Sequence, residues 1–262
     1  MIDQTEKAIA NHGGIQCSVS LLGIHRRLIA LLLISGTAAV HAADSAVVLM
    51  YHRFGEDTYP ATSIRIEQFD SQLAHIRDRG YNVIPLAELL AAVRGGDELP
   101  ERAVAITIDD AYRSIYDVAH ARLREFDFPY TVFVGTDAVD KGLPAYMSWD
   151  QMRELEAEGV TFANHGAAHR STLQESDFAS EDERLALVRA DVEKGAKRLA
   201  EELSPLEGSF AYPYGEYDAA TAGLLKQMGY ISFGQHSGAI ATNSDTRALA
   251  RVPMNESYGD MD

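Results

Sequence analysis

The stretch Val104-Ala105-Ile106-Thr107-Ile108-Asp109-Asp110 runs from apolar, β-branched residues straight into two adjacent carboxylates. The apolar part predicts a buried strand. Two aspartates at the end of such a strand are costly, because like charges repel and burial disfavours ionisation. A divalent metal would offset that cost, with one carboxylate binding the ion and the other acting as a base. The alternative is a surface turn with two solvated aspartates.

Short β-rich runs alternate with amphipathic helical stretches on both sides of this strand. The alternation predicts an α/β fold with a parallel sheet and helical crossovers, and seven or eight such units predict a (β/α) barrel, complete or incomplete. Gly80, Gly159 and Gly229 each stand between a helix and a strand, where a left-handed cap is required. The predicted strands are Val47–Tyr51, Asn82–Ile84, Val104–Ile108, Tyr130–Val134, Val160–Ala163, Ser209–Tyr212, Ile231–Gly234 and Leu249–Val252. The predicted helices are Ile66–Arg79, Leu86–Val93, Ile115–Glu125, Trp149–Glu158, Glu183–Leu203 and Ala219–Met228.

The composition argues against several classes of binding partner and metal site. The chain has 262 residues, of which 46% are hydrophobic and 24% charged, an ordinary globular composition that allows a sizeable core. With 23 basic and 39 acidic residues its formal charge is −16, which argues against nucleic acid and against an anionic membrane surface as partners. Cys17 is the single cysteine, which excludes a disulfide framework and a multi-cysteine metal site.

The first 42 residues are typical of an export signal. Arg26 and Arg27 precede an apolar run over residues 28–40, and small residues follow up to Ala42. At 13 residues the run is too short to cross a bilayer comfortably. We therefore expect residues 1–42 to be a cleaved leader, residues 43–262 to form one domain, and the mature protein to be periplasmic or secreted without a stable membrane span. The alternatives are an N-terminal membrane anchor and a buried helix.

His165 and His169 follow another predicted strand, at the i, i+4 spacing that suits two imidazoles on one metal ion. Such a pair on its own can equally be a polar loop. Because barrels place their chemistry at the carboxyl ends of the strands, this pair and the two aspartates are expected at the same rim. Two histidines and one carboxylate leave a position for water, which is the pattern of a catalytic zinc site rather than a structural one.

Two further histidines end predicted strands. His52 follows the first strand, where it is either a hydrogen-bonded structural histidine or part of the site. His236 follows a late strand and is the only histidine after His169. Both are therefore candidates for the group that exchanges protons with a substrate.

A turn and a lone tryptophan complete the candidate residues. Pro213 and Gly215 fix an unusual turn around Tyr214, which either aims a backbone N–H into the site or is an ordinary rigid turn with packed aromatic rings. Trp149 begins a helix beside Ser148, a good N-cap residue. Its ring is suited to stacking on a sugar or to packing in the core.

Three segments of the chain resemble the first three motifs of the polysaccharide deacetylases, the NodB-homology carbohydrate esterases. They are Ile106-Thr107-Ile108-Asp109-Asp110-Ala111, His165-Gly166-Ala167-Ala168-His169 and Ala211-Tyr212-Pro213-Tyr214-Gly215. They occur in the right order, and the resemblance covers nearly all of residues 43–262. The opening Val48-Leu49-Met50-Tyr51-His52-Arg53-Phe54 is similar to the branch that contains poly-N-acetylglucosamine deacetylases.

The resemblance implies a distorted (β/α) barrel that hydrolyses N-acetyl groups on amino sugars. It makes Asp109 the general base that acts on a metal-bound water. It makes Asp110, His165 and His169 the ligands of a divalent metal, zinc or another transition metal. The turn at Tyr214 would supply a backbone N–H for the oxyanion. The substrate would be an N-acetylated glycan such as poly-N-acetylglucosamine, a chitooligosaccharide or peptidoglycan.

Four departures from the family pattern carry expectations of their own. Ala111 stands where the family usually has Gly, and Gly166 stands where it has Ser or Thr, so one loop-fixing hydrogen bond is expected to be missing. Ala211 replaces a frequent Arg, so the base is expected to lack a partner. The tail Arg251-Val252-Pro253-Met254-Asn255 lacks the family's late acid histidine, and we expect His236 first and His52 second in that role. The alternative function is an exported, non-catalytic glycan-binding protein with a vestigial metal site.

Overall fold

The computed structural model describes residues 42–95, 98–173 and 179–258. These residues belong to one compact unit, Val40–Asp262. The expected leader, residues 1–42, lies outside the described residues apart from Ala42. None of the helices in the described ranges has the length and apolar character that a membrane crossing requires.

The main sheet contains nine of the strands found among the described residues, and eight of these run parallel. The strands of the chain are β1 (Ala42–Ala43), β2 (Ser45–Tyr51), β3 (Arg53–Phe54), β4 (Ser63–Ile64), β5 (Asn82–Val83), β6 (Leu99–Pro100), β7 (Ala103–Asp109), β8 (Tyr130–Val134), β9 (Thr161–Asn164), β10 (Ser209–Ala211), β11 (Ile231–Phe233), β12 (Ile240–Ala241) and β13 (Val252–Pro253). The order across the sheet is β11-β10-β9-β8-β7-β2-β12, with β5 beside β7 and β13 beside β2. Within this sheet, as far as the structure describes the chain, only β12 is antiparallel to its neighbour. The prediction of an α/β fold with seven or eight parallel strands is therefore confirmed.

The two ends of the curled sheet approach each other across the last segment of the chain. Leu249 forms a parallel bridge with Phe233 in β11, and β13 pairs in parallel with β2 through Val252 and Leu49. Residues 249–253 form this seam of the barrel. Their pairing is much shorter than the ladder between β2 and β7, so the barrel is distorted. The seam carries residue 251 into the interior, where it is fully buried.

Helices connect the strands and keep them parallel, because each crossover returns the chain to the same end of the sheet. Within the described ranges they are α1 (Ile66–Asp78), α2 (Leu86–Val93), α3 (His120–Glu125), α4 (Thr136–Asp140), α5 (Trp149–Ala157), α6 (Glu181–Glu202) and α7 (Ala219–Gln227). Side-chain caps fix the starts of three of them. Ser148 precedes α5, Ser180 precedes α6 and Asp218 precedes α7, and each accepts a hydrogen bond from a backbone N–H in the first turn.

The structure differs from the predicted elements where local pattern is weakest. The predicted helix over 115–125 begins as a π-helical turn, Ile115–Ala119, before α3. The predicted strand Leu249–Val252 is reduced to one bridge at Leu249 and the short β13. Helix α4 and the side sheets β1–β6 and β3–β4 were not predicted, since one-turn helices and two-residue strands leave no periodicity in a sequence.

Candidate active site

Asp109 and Asp110 stand at the carboxyl end of β7, a strand that is buried along its whole length. Asp110 and Ala111 both have left-handed backbone conformations, with φ of +74° and +59°. Few residues other than glycine adopt this conformation, and such strain is characteristic of functional turns. The Met147 N–H donates to the Ala111 carbonyl at 2.9 Å and holds the turn. The positive φ explains why glycine is usual at position 111.

Asp110, His165 and His169 bring three metal-ligating atoms to within 4.8 Å of one another. Oδ1 of Asp110 lies 3.4 Å from Nε2 of His165 and 3.0 Å from Nε2 of His169. The two histidines follow β9, and the aspartate follows β7, so the fold joins side chains from two separate strand ends. The expectation that the two segments share one rim is met in this geometry.

The environment of His165 fits a metal ligand. Its Nδ1 donates to the Ala211 carbonyl at 2.7 Å, which leaves the lone pair of the neutral ring on Nε2. Nε2 is buried and makes no hydrogen bond to any described residue. A ligating histidine typically donates its other ring N–H to a backbone carbonyl or carboxylate in this way. Two imidazole nitrogens and one carboxylate oxygen are a donor set that suits zinc and other divalent transition metals.

The carboxylates and the imidazoles of the site shift one another's pKa values. Burial alone would raise the pKa of Asp110, but its interactions with His165 and His169 outweigh burial and hold that pKa well below its usual value. Burial alone would lower the pKa of His165, but the Asp110 and Asp109 carboxylates raise it above 6.5. The two carboxylates therefore favour a positive charge at this position, which a divalent cation would supply.

Asp109 is fully buried, and Arg251 binds both of its carboxylate oxygens. The guanidinium Nη1 and Nη2 atoms each donate to Asp109 at 2.7 Å. Burial would raise the pKa of Asp109, but Arg251, His165 and His52 outweigh burial and lower it. Asp109 is therefore ionised at neutral pH and free to accept a proton.

The expectation that the base lacks an arginine partner, drawn from Ala211, is wrong. Arg251 supplies the guanidinium from the seam of the barrel, 142 residues along the chain from Asp109. It also donates from Nε to the Gly234 carbonyl at 2.9 Å, so its charge is satisfied within the barrel. The one sequence signal for it was an arginine inside the predicted strand Leu249–Val252, where a charged side chain needs a buried partner.

The two candidate acid histidines have different surroundings. Nε2 of His52 lies 4.0 Å from Oδ2 of Asp109, and the side chain is only 14% exposed. Burial lowers the pKa of His52, more than the Asp109 and Asp110 carboxylates raise it. His236 is exposed, and within the described ranges its ring makes no hydrogen bond or ion pair with the site. The structure therefore brings His52 rather than His236 to Asp109.

The turn after β10 lies beside the metal-ligating set. Pro213 begins a single 3-10 turn, Pro213–Gly215, and Tyr214 has a left-handed φ of +59°. The Tyr214 ring is 58% exposed and lies edge-on to the His169 ring, with centroids 4.6 Å apart. Its backbone N–H donates to no acceptor among the residues that the structure describes. That donor is available to a bound ligand.

Trp149 makes contacts with residues outside the metal-ligating set. Its indole N–H donates to Asp140 at 2.8 Å, and the Arg198 guanidinium lies over its ring at 4.8 Å. The ring also packs against the main hydrophobic core. These contacts support a packing role, and stacking of a sugar on the other ring face stays a prediction.

The chain is similar to known polysaccharide deacetylases. A family model described as polysaccharide deacetylase matches residues 96–232, which include the aspartate and histidine segments and the turn at Tyr214. The chain is 26% identical over 225 residues to the poly-beta-1,6-N-acetyl-D-glucosamine N-deacetylase of Escherichia coli strain K12. That alignment covers 72% of this chain and 33% of the relative, so the chain spans about a third of the relative's length.

Two solved structures share the fold. IcaB from Ammonifex degensii is 26% identical, with a TM-score of 0.71, over 82% of this chain and 94% of that one. The Streptococcus pyogenes deacetylase PplD, solved in complex with acetate, is 23% identical, with a TM-score of 0.72, over the same shares of the two chains. These similarities confirm the distorted barrel, and the family match covers more than half of the chain. The chain belongs to the polysaccharide deacetylase family.

Proposed function

We propose that this chain is a metal-dependent hydrolase that removes N-acetyl groups from amino-sugar polymers or oligomers. One observation carries the proposal: an ionised, fully buried Asp109 lies next to a cluster of three metal-ligating side chains at the same rim. Hydrolysis needs a base beside the ion, whereas glycan binding alone does not. We therefore favour the enzyme over the glycan-binding alternative.

Asp110, His165 and His169 would hold the ion, and zinc fits this donor set. When bound, a divalent ion polarises a carbonyl and makes water more acidic. The Ala211 carbonyl orients His165 through Nδ1 and so aims Nε2 toward the ion.

Asp109 is the proposed base. It takes a proton from the water that attacks the acetamide carbonyl, and Arg251 keeps the carboxylate fixed and ionised before that step. The Tyr214 N–H, placed by the turn at Pro213, is the proposed donor to the oxyanion that forms. Donors of this kind typically contribute about 2.7–4 kcal/mol each to transition-state stabilisation.

His52 is the proposed proton donor to the leaving amine, in place of His236. An amine leaves poorly without a proton, and His52 is the candidate histidine whose Nε2 lies 4.0 Å from Oδ2 of Asp109. The carbon–nitrogen bond of the acetamide then breaks. The products are acetate and a free amino sugar.

An N-acetylglucosamine polymer is the proposed substrate. The Escherichia coli relative is described as acting on poly-beta-1,6-N-acetyl-D-glucosamine, and the segment around His52 resembles the same branch of the family. We further propose that residues 1–42 direct export, that residues 43–262 form the single catalytic domain, and that the enzyme acts on glycans outside the cytoplasm.

The direct test is acetate release from a panel of substrates. The panel contains β-1,6-linked N-acetylglucosamine oligomers, chitin oligomers and peptidoglycan, each incubated with the full chain and zinc. We expect acetate from the β-1,6-linked oligomers in excess of the other two. Binding to any of these glycans without acetate release would instead support the non-catalytic alternative.

A further inference from the structure

The loop between His165 and His169 is held by helix α6 through one carboxylate. The Ala167 N–H donates to Oδ2 of Asp191 at 3.1 Å, and the Ala168 N–H donates to Oδ1 at 2.9 Å. Both oxygens of Asp191 are therefore used, each by one backbone donor. Hydrogen bonds to an ionised acceptor are stronger than neutral ones, so this is a firm clamp on the loop.

The other backbone groups of this loop bind to Asn164 and to the start of α4. The Gly166 N–H donates to Oδ1 of Asn164 at 2.9 Å, and the Gly166 and Ala167 carbonyls accept from backbone N–H groups at the start of α4. In the part of the chain that the structure describes, Asp191 is the side chain through which α6 holds the segment 166–168 by hydrogen bonds. Its removal leaves two adjacent N–H groups without an acceptor.

Two glycines make room for this contact. Gly166 has φ of +75°, and a Cβ added there would overlap Oδ2 of Asp191. Gly195, one turn further along α6, lies so close that its Cβ would be 2.6 Å from Oδ1 of Asn164 and 2.9 Å from the Gly166 carbonyl carbon. The carboxylate thus fills the space that a side chain at position 166 would need. The loop-fixing hydrogen bond expected to be missing at Gly166 is replaced from another element.

We propose that Asp191 is a positioning residue for the metal centre, and that Gly166 is required because the Asp191 carboxylate occupies the space beside it. Asp191 fixes the loop backbone, and the backbone fixes where the His165 and His169 rings meet Asp110. This inference rests on the proposed function only in that these two histidines bind an ion.

Zinc affinity, measured by competition with a chromophoric chelator, tests the proposal without using activity. D191A is expected to weaken zinc binding by about 10–100-fold, the usual effect of removing a partner that orients a ligand. D191N, which keeps one acceptor oxygen, is expected to fall between D191A and the wild type. E193Q is the matched control, since Glu193 lies on the same helix, is 60% exposed and, among the described residues, forms an ion pair with Arg189. Equal zinc affinity in wild type, D191A and D191N would overturn the proposal.

A double-mutant cycle separates positioning from general stability. G166A is expected to weaken zinc binding by a larger factor in the wild type than in D191A, because the overlap with the carboxylate is gone once Asp191 is replaced. The strain of a side chain at φ of +75° is present in both backgrounds and cancels from the comparison. Additive losses would overturn the proposed coupling. A wild-type chain that binds no zinc would overturn the proposed metal site itself, which distinguishes the two failures.

Discussion

At the scale of single residues, two adjacent aspartates have opposite surroundings. Asp110 faces two imidazoles, whereas Asp109 is bound on both oxygens by Arg251. Both remain ionised despite burial, each for a different reason. This division supports the proposal that Asp110 binds the ion and Asp109 acts as the base.

D109N is expected to lower turnover by about 10²–10⁴-fold, the range for a lost acid or base, while zinc affinity stays close to that of the wild type. The amide cannot accept the proton, but Asp110, His165 and His169 remain in place. Acetate release and chelator competition on the same preparation measure both quantities. Wild-type turnover in D109N would refute the role of Asp109.

The two histidines can be compared directly. H52A is expected to lose about 10²–10⁴-fold in turnover, because His52 is the histidine 4.0 Å from Asp109. H236A is expected to retain turnover near that of the wild type, because its ring is exposed and makes no contact with the site in the described part of the chain. The assignment fails if H236A is the inactive variant and H52A keeps its activity.

At the scale of elements, the seam of the barrel has a catalytic consequence. The segment from Leu249 to β13 joins β11 to β2 and carries Arg251 inward to Asp109. The short pairing along this seam is stabilised by a buried ion pair. Breaking a buried pair by removing one partner leaves an uncompensated charge.

R251M is therefore expected to destabilise the fold by about 3–5 kcal/mol, measured by urea denaturation. It is also expected to move the acidic limb of kcat/KM to higher pH, because Arg251 lowers the pKa of Asp109 and its loss lets that pKa rise. R247M is the control, since Arg247 also pairs with an aspartate but is exposed, and we expect little change. If R251M and R247M have the same stability and pH profile, Arg251 has no special role.

The long elements were predictable and the short ones were not. The apolar run before Asp109 and the spacing of His165 and His169 are local patterns, and they located β7, β9 and all three proposed ligands. The pairing of Arg251 with Asp109 could not be predicted, because the two residues are 142 positions apart and meet only once the barrel closes. The clamp from Asp191 was missed for the same reason, since a helix face alone does not reveal which loop it meets.

At the scale of the whole molecule, the formal charge of −16 says little about the site, which is controlled by a few buried groups. The central pair of strands, β7 and β8, is buried throughout and supports the rim where the loops meet. The substrate must reach this rim from solvent, and Tyr214 is the exposed aromatic ring beside it. The fold therefore supplies a rigid base for a site built mostly from loops.

Zinc binding is expected to release protons and to weaken as the pH falls. The carboxylates of Asp110 and Asp109 raise the pKa of His165 above 6.5 against the opposing effect of burial, so the metal-free protein carries a proton there at pH 6.5. The ion needs the neutral ring, so binding must expel that proton. Calorimetric titration in two buffers of different ionisation enthalpy measures the release. Zinc binding at pH 6.5 with no proton released would contradict the shift.

The most direct test of the central claim is reconstitution of the metal-free full chain with zinc, followed by acetate release from β-1,6-linked N-acetylglucosamine oligomers. The protein stripped by a chelator is expected to release no acetate, and activity is expected to return in proportion to added zinc and level off at one ion per chain. D109N treated in the same way is expected to bind one ion and remain inactive. Full activity in the stripped wild-type protein would contradict the account.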